Sequence, residues 1–330
     1  MKLSLIIPVY NRPDEIMELL DSLTKQTENN FDIIIVEDGS EIKCDKIIED
    51  YNDKLDIKYF FKPNSGPGQS RNYGAERSTA DYVIFLDSDC LIPYKYVEEV
   101  NKELKDNYVD CFGGPDNAHS SFTNIQKAIN YAMTSFITTG GIRGKKKGLD
   151  KFFPRSFNMG YSKEVFEKTG GFGKMRFGED IDMSLRIIEL GYKTRLFDKA
   201  FVYHKRRTNF RQFYKQVHNS GIARINLYKL HPQSLKLVHF LPSVFVIGMV
   251  FLILFSVFIH YSFSFLFLAL VLTIFIDSLL KNKSVPVAYY SVIASLIQLT
   301  SYGLGFIKAY WKRVILKEKE FSAFNKNFYK

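Results

Sequence analysis

The sequence predicts an α/β fold: a mixed, mostly parallel sheet between helices, followed by a C-terminal α-helical membrane region. Three observations carry this. Short apolar runs that read as strands alternate with helical stretches between residues 3 and 90. Three of those runs end in Asn11, in Asp38, and in Asp87 with Asp89, as in sheets that bind ligands beyond their carboxyl ends. Beyond residue 236 the chain turns strongly apolar, in stretches long enough to cross a bilayer.

The elements follow in order. Leu3 to Ile7 is a first buried strand, which Pro8 is expected to end; Asn11-Arg12-Pro13 then opens a helix with Pro in its first turn. Ile16, Leu19, Leu20 and Leu23 share one face of that helix. Phe31 to Val36 is a second strand, running into Glu37-Asp38-Gly39-Ser40, and a third lies near Ile57 to Phe61. The loop KPNSGPGQSRNYG leads into a helix reaching about Ser78. Tyr82 to Leu86 is a buried strand with Asp87, Ser88 and Asp89 at its end. Strand periodicity puts the two carboxylates on one side of the backbone, where a divalent cation would neutralise them. A polar turn would give the same letters. Residues 93–105 form a helix, Tyr108 to Phe112 a strand, Arg155 to Tyr161 another, and Lys163 to Phe166 a short helix after Ser162. GGIRGKKKG, residues 140–148, is glycine-rich and basic, and reads as a surface loop or a lid over a phosphate-bearing substrate. In GEDIDMSLRIIELGY, Ile181, Leu185, Ile188 and Leu190 are the expected buried side of a helix that Gly191 ends. Glu179 and Asp180 then stand at its N-terminus, where the dipole alone would favour them. His204 follows a strand from Ala200 to Tyr203.

The 330 residues suffice for one large or two modest domains, and the net charge of +10 points to an anionic partner. The positive charge is unevenly spread: Lys199 to Ile276 contains no Asp or Glu. Three cysteines without zinc-like spacing fit a reducing compartment rather than a disulfide scaffold. The opening MKLSLIIPVYN is too short in its apolar run, and interrupted by Pro8, to read as a signal peptide.

Taken together, PVYNRPDEI, VEDGS, SGPGQSRNYG, LDSD and GEDIDMSLRIIELGY resemble, in order, the motifs of family-two glycosyltransferases over roughly the first two thirds of the chain. The resemblance implies a GT-A fold, a nucleotide-sugar donor, Mg²⁺ or Mn²⁺ as cofactor, and inversion at the anomeric carbon. It implies that Pro8, Tyr10 and Asp38 hold base and ribose, that Arg71 with Asn72 lies near the diphosphate or sugar, and that Asp87 assists near the ribose. Asp89 would be the metal ligand, with His204 a further one. Asp180 would be the base that deprotonates the acceptor, with Glu179 and Gly171 at the acceptor. Arg suits phosphate through its planar fork of donors.

The membrane end begins with residues 208–236, mixed aromatic and basic, expected to lie on an anionic membrane surface with Phe210, Phe213, Tyr214 and Val217 on one face. The apolar stretches close by favour lipid over nucleic acid as the anionic partner. Val238 to Ile259 and Phe263 to Leu280 would form a tight hairpin around His260-Tyr261-Ser262, and Val285 to Ile307 is a weaker third span. Lysines on both sides of that third segment leave two or three spans open. The expected layout is a catalytic domain at 1–207, the interfacial segment at 208–236, membrane helices at 237–310 and a basic tail at 311–330. The sequence thus points to a multi-pass protein of the cell (inner) membrane with its catalytic domain cytoplasmic. It would transfer sugar to a glycan or lipid-linked acceptor, in lipid-linked glycan or surface polysaccharide assembly. Two alternatives are transfer to polyprenyl phosphate and a non-catalytic carbohydrate-binding or scaffold protein. A polymer synthase is disfavoured, because it needs more spans and a Gln-x-x-Arg-Trp pattern that the chain lacks.

Overall fold

The structure is a computed structural model describing residues 1–140, 152–175 and 177–319. The expected lid, beyond Gly140, and the end of the basic tail lie outside the described residues. The chain divides into two compact units. The first comprises residues 1–119 and 146–205, the second residues 120–145 and 206–330. Residues 120–140, expected within the catalytic domain, therefore group with the C-terminal helices.

The first unit holds β1 (Leu3–Val9), α1 (Pro13–Leu23), β2 (Phe31–Asp38), α2 (Asp45–Glu49), β3 (Ile57–Lys62), α3 (Pro67–Arg77), β4 (Tyr82–Leu86), β5 (Cys90–Leu91), α4 (Tyr96–Asp106), β6 (Cys111–Gly113) and β7 (Asp116–Asn117). After α5 (Asn124–Thr134) and α6 (Phe136–Thr139) of the second unit come β8 (Asn158–Ser162), α7 (Lys163–Thr169), α8 (Glu179–Glu189), β9 (Thr194–Leu196) and β10 (Val202–His204). Seven strands form one sheet in the order β3-β2-β1-β4-β8-β6-β9, and a small sheet runs β5-β10-β7. The β3-β2-β1-β4 half is parallel, while β8 runs antiparallel to both β4 and β6.

Alternation along β1 builds both faces. Leu5 and Ile7 pack with Ile16, Leu20, Tyr96 and Val97 on one side, and Ile6 with Phe85, Tyr161 and Met183 on the other. Each such fully buried side chain contributes ~1.5–3 kcal/mol. Pro8 does not end β1 as expected. The β1–β4 register stops at Ile6 opposite Phe85, so Pro8 pairs with Val36 alone and its missing N–H leaves no ladder bond unmade. Helix α3 starts at Pro67, inside the stretch expected to be loop, which puts Arg71 and Asn72 on a helix. The buried side of α8 is also shifted from expectation. Met183 and Ile187 face the sheet with Glu179, Asp182 and Ser184, while Leu190 is 54% exposed. The two acids near its start belong to that inward face because partners meet them there.

In the second unit, α9 (Phe210–Leu230), α10 (Leu241–Phe258), α11 (Ser264–Asn282) and α12 (Val285–Tyr310) follow α5 and α6. Three stretches, Leu241–Phe258, Tyr261–Asn282 and Val285–Ile315, are long and apolar enough to cross a membrane. The first two are 6% and 11% buried and the third 44%, so α12 is the central helix. Its small residues explain that. Added Cβ atoms at Gly303 and Gly305 would stand 2.4 Å from the Pro242 carbonyl oxygen and 2.2 Å from that of His218. Such backbone approach is how helices pack without a hydrophobic drive. Of the α9 stripe expected against lipid, Phe213 and Val217 are covered by protein, while Tyr214 is 40% exposed. Phe213 and Val217 pack with Ile129, Ala132, Met133 and Ala294, leaving Arg211, Lys215 and Lys229 exposed.

Helix α3 can lie close to the sheet only because Gly74 has no side chain: a Cβ there would be 2.5 Å from Ile6 Cγ2 and 3.2 Å from Val36 Cγ2. Gly74→Val should therefore destabilise by about 1–3 kcal/mol through overpacking, read as a lower Tm in detergent. An unchanged Tm would mean that α3 rides off the sheet without cost.

Candidate active site

The parallel order reverses beside β1, with β2 and β3 to one side and β4 to the other, and such a switch opens a crevice at the carboxyl ends. Arg12 follows β1 into this crevice, and Asp87 and Asp89 follow β4. Because β4 ends at Leu86, the two acids sit in a turn rather than in register on a strand. They converge because β5 pairs antiparallel with β10, placing His204 opposite Cys90. The Lys205 N–H donates to the Asp89 carbonyl at 3.0 Å. His204 Nε2 is then 3.1 Å from Asp89 Oδ1 and 3.7 Å from Asp87 Oδ2. The Phe157 ring stacks on the imidazole with centroids 5.0 Å apart. Arg12 pairs with Asp89 Oδ2, a contact the sequence reading did not assign. Its signal was a basic residue directly after a strand's carboxyl end.

From Asp87 the row of charges continues through α3. Arg71, 3% exposed, donates to Asp87 Oδ1 at 2.6 Å and to Glu179 Oε1 at 3.1 Å. Its guanidinium carbon lies 5.5 Å from the Phe172 ring centroid. Burying the guanidinium works against its charge, and the two carboxylates more than offset that, so its pKa is raised. The next residue, Asn72, clamps the backbone of Phe172, donating to its carbonyl at 2.8 Å and accepting from its N–H at 2.7 Å. Gly171 follows from this clamp: at φ +73° a Cβ would fall 2.4 Å from Asn72 Oδ1. Arg186, paired with Asp182 at 2.9 Å, donates to the carbonyls of Thr169 at 2.6 Å and Gly171 at 2.7 Å. Arg71 and Asn72, adjacent on one helix, thus fix Asp87, the start of α8 and the glycine turn.

Glu179 and Asp180 open α8 after Gly178, whose φ of +82° suits glycine. Asp180 lies 3.3 Å from Arg155, a second cation missing from the sequence reading. Glu179 is buried, and burial first, then the Asp180 charge, pushes its carboxyl up to about 7 against the opposing pull of Arg71.

Of the residues expected at the base and ribose, Pro8 lies in β1 and Tyr10 just after it. Asp38 is committed inside the protein. It pairs with Lys62 and accepts from the N–H groups of Ser65 at 2.9 Å and Gly66 at 2.8 Å, so it shapes the loop from Lys62 to Gly66. Asn11, at φ 51°, ties β1 to β2: its N–H donates to Ser40 Oγ at 2.8 Å and its Oδ1 accepts from the Glu41 N–H at 2.8 Å.

The donor set fits an oxygen-preferring divalent ion. Two ligands held at ~2.1 Å and a right angle stand about 3 Å apart, and the Asp89 Oδ1 to His204 Nε2 distance is 3.1 Å. His204 Nδ1 is buried with no hydrogen-bond partner among the described residues. Ligand atoms of Asp89, Cys90 and His204 all lie within 4.8 Å of one another. Burial pushes the Cys90 thiol pKa up.

A family model described as "Glycosyl transferase family 2" matches residues 4–170, half of the chain, from β1 to the end of α7. The chain belongs to glycosyltransferase family 2. The acids of α8 and His204 lie beyond the matched stretch, so their placement rests on the geometry above. An uncharacterised glycosyltransferase of Haemophilus influenzae is 30% identical over 193 residues, 57% of this family 2 chain and 62% of that protein. One from Rickettsia bellii is 38% identical over 143 residues, 43% of this chain but 20% of that protein. The match thus spans about a fifth of the Rickettsia relative's length. A mannosyltransferase of Pyrobaculum calidifontis, solved with GDP-mannose and Mn²⁺, superposes with TM-score 0.66 at 13% identity, covering 94% of this chain and 88% of that one. That likeness establishes the shared GT-A fold.

The raised Glu179 pKa makes stability depend on pH with a definite sign. The folded state holds a proton that the unfolded chain releases above its ordinary value of 4.5, so stability falls as pH rises from there towards about 7. Glu179→Gln should flatten that slope in denaturation midpoints measured at pH 5, 6 and 7. The same slope in both proteins would place the proton elsewhere.

Proposed function

We propose that this chain is a membrane-associated inverting glycosyltransferase that moves a sugar from a nucleotide-sugar donor to an acceptor hydroxyl. One observation carries the reading. A connected row of polar side chains, Asp89, His204, Asp87, Arg71 and Glu179, lies at the crevice, with Asp180 next to Glu179 in the chain. The Pro8–Tyr10 segment and the loop held by Asp38 would receive base and ribose, with Asp87 assisting at the ribose. Asp89 and His204 would hold Mg²⁺ or Mn²⁺, which when bound supplies charge stabilisation to the departing diphosphate. Arg71, engaged by two carboxylates, acts as a positioning residue for Asp87 and Glu179 rather than as an open phosphate clamp.

Inversion requires the acceptor oxygen to attack from the face opposite the leaving group, and a neutral hydroxyl must lose its proton as it does so. Asp180 takes that proton, and Arg155 orients its carboxylate. Glu179, neutral over part of the physiological range, can donate a hydrogen bond to an acceptor hydroxyl, with the Gly171 turn beside it. The four acids Asp87, Asp89, Glu179 and Asp180, each with a partner, favour catalysis over a scaffold role. Surface polysaccharide or lipid-linked glycan assembly is the setting. A 111-residue stretch that is 39% identical to the poly(ribitol-phosphate) β-N-acetylglucosaminyltransferase TarS of Staphylococcus aureus supports it. Asp180→Asn should lower transfer ~10²–10⁴-fold at nearly unchanged donor affinity, while Asp89→Ala should abolish the stimulation by Mn²⁺. Transfer by Asp180→Asn near the parent rate would remove Asp180 as the base. A milder loss would favour polyprenyl phosphate, an acceptor that arrives ionised.

The chain would sit in the cell (inner) membrane as a multi-pass protein with the catalytic unit in the cytoplasm. The hairpin of α10 and α11, joined at Tyr261–Phe263, would then expose its turn outside. Ser262→Cys should react with an impermeant maleimide applied to intact cells. Labelling only after the cells are opened would reverse this topology.

A further inference from the structure

We propose that Asp89, Cys90 and His204 form a site for a thiophilic divalent cation, Zn²⁺ or Cd²⁺, which overlaps the oxygen-rich site and excludes the ion that supports transfer. Cys90 has no part in the chemistry proposed above. It directly follows Asp89 and stands opposite His204 in the β5–β10 register, so its thiol and the imidazole are cross-strand neighbours. The three ligand atoms lie within 4.8 Å of one another. Four ligands around zinc stand about 3.4 Å apart at bond lengths of ~2.0–2.3 Å, so side-chain shifts of about an ångström close the set. The Cys90 sulfur is only weakly engaged. The Cys90 thiol's hydrogen bond to the Phe157 carbonyl is long, at 3.8 Å, and His204 Nδ1 has no hydrogen-bond partner among the described residues.

The two donor sets share Asp89 and His204 and differ in the third member. Oxygens from outside the protein would complete a hard set with Asp89 and His204, which suits Mg²⁺ or Mn²⁺. Cys90 completes a mixed oxygen, nitrogen and sulfur set, which suits zinc or cadmium. On binding, the Cys90 thiol releases its proton to solvent and the sulfur lone pair forms the metal bond, while His204 binds as neutral imidazole. Because two ligands are common to both sets, one ion occupies the centre at a time. This inference shares Asp89 and His204 with the proposed metal site, but it needs neither donor nor turnover.

The test uses the purified full chain in detergent and Cd²⁺ alone, followed by the ultraviolet charge-transfer absorption of a cadmium–thiolate bond. The band should saturate at one equivalent, persist in Cys44→Ser and vanish in Cys90→Ser. No band in the parent, or an undiminished band in Cys90→Ser, overturns the proposal. Should Cys90→Ser fail to fold by circular dichroism, His204→Ala decides. Cd²⁺ affinity should fall by about tenfold or more, and an unchanged affinity overturns the assignment. In a second arm, Mn²⁺ bound to the parent is followed by electron paramagnetic resonance while Zn²⁺ is added. Release of Mn²⁺ is expected, and retention of both ions overturns the shared centre. Failure of sugar transfer would leave these readings untouched, and their failure would leave the transferase reading standing.

Discussion

The Arg71 guanidinium, buried between Asp87 and Glu179, is the interaction on which the rest of the first unit depends. An isolated buried charge costs several kcal/mol, so a 3% exposed arginine is tolerable only while both carboxylates face it. The requirement works in reverse as well. The turn after β4 and the first turn of α8 are far apart in sequence, and one side chain sets the direction of an acid from each. Asn72 adds the glycine turn through the Phe172 backbone. Gly74 lets the helix carrying both residues press onto Ile6 and Val36. The α3 sequence is therefore poor as an amphipathic helix and rich in constraints.

The second unit solves a different problem with small residues. Helix α12 carries Ser291, Ser295, Ser301, Gly303 and Gly305 on buried positions, the composition that weakened it as a span in the sequence. Its polarity comes from contact with its neighbours. Ser278 donates to Ser291 at 2.8 Å between α11 and α12, and Gly221 of α9 lies where a Cβ would meet the Tyr302 carbonyl at 2.3 Å. Helices α10 and α11 keep large apolar side chains outward, among them Phe251, Phe258, Leu266 and Leu272. A central helix that meets protein needs small residues, whereas α10 and α11, long and apolar enough to cross a membrane, carry bulk on their outer faces.

Much of the sheet was legible because its strands announce themselves. β1, β2, β3 and β4 are apolar runs with β-branched members, and their expected limits fall within a few residues of the observed ones. The acids at their ends were legible for the same reason, since a carboxylate next to such a run has few other places to be. What the sequence hid was mostly partnership. Arg12 and Arg155 look like ordinary surface cations until the fold brings Asp89 and Asp180 to them. Glu37, adjacent to Asp38, is fully buried and accepts from the Cys44 N–H at 3.1 Å and from the Tyr59 hydroxyl, which no local pattern foretells. On α8, apolarity alone does not mark the inside. Here Glu179 and Asp182 turn inward towards arginines, and Leu190 points out.

The charge pattern of the site carries a consequence for how a donor would arrive. Asp87, Asp89, Glu179 and Asp180 face Arg71, Arg12, Arg155 and the imidazole of His204. The acids and arginines are already matched in pairs or triads, and Glu179 spends part of the pH range neutral. Such a site has little positive charge to spare for a diphosphate. A donor entering alone would meet Asp87 and Asp89 with like charge, and the cost at short range in a partly buried crevice is severe. A divalent ion held by Asp89 and His204 would offset that like charge. Under the proposed function, metal and nucleotide therefore bind as coupled events, each raising the affinity for the other. On that reading the coupling would rest on the pairing of Asp89 with Arg12 and His204.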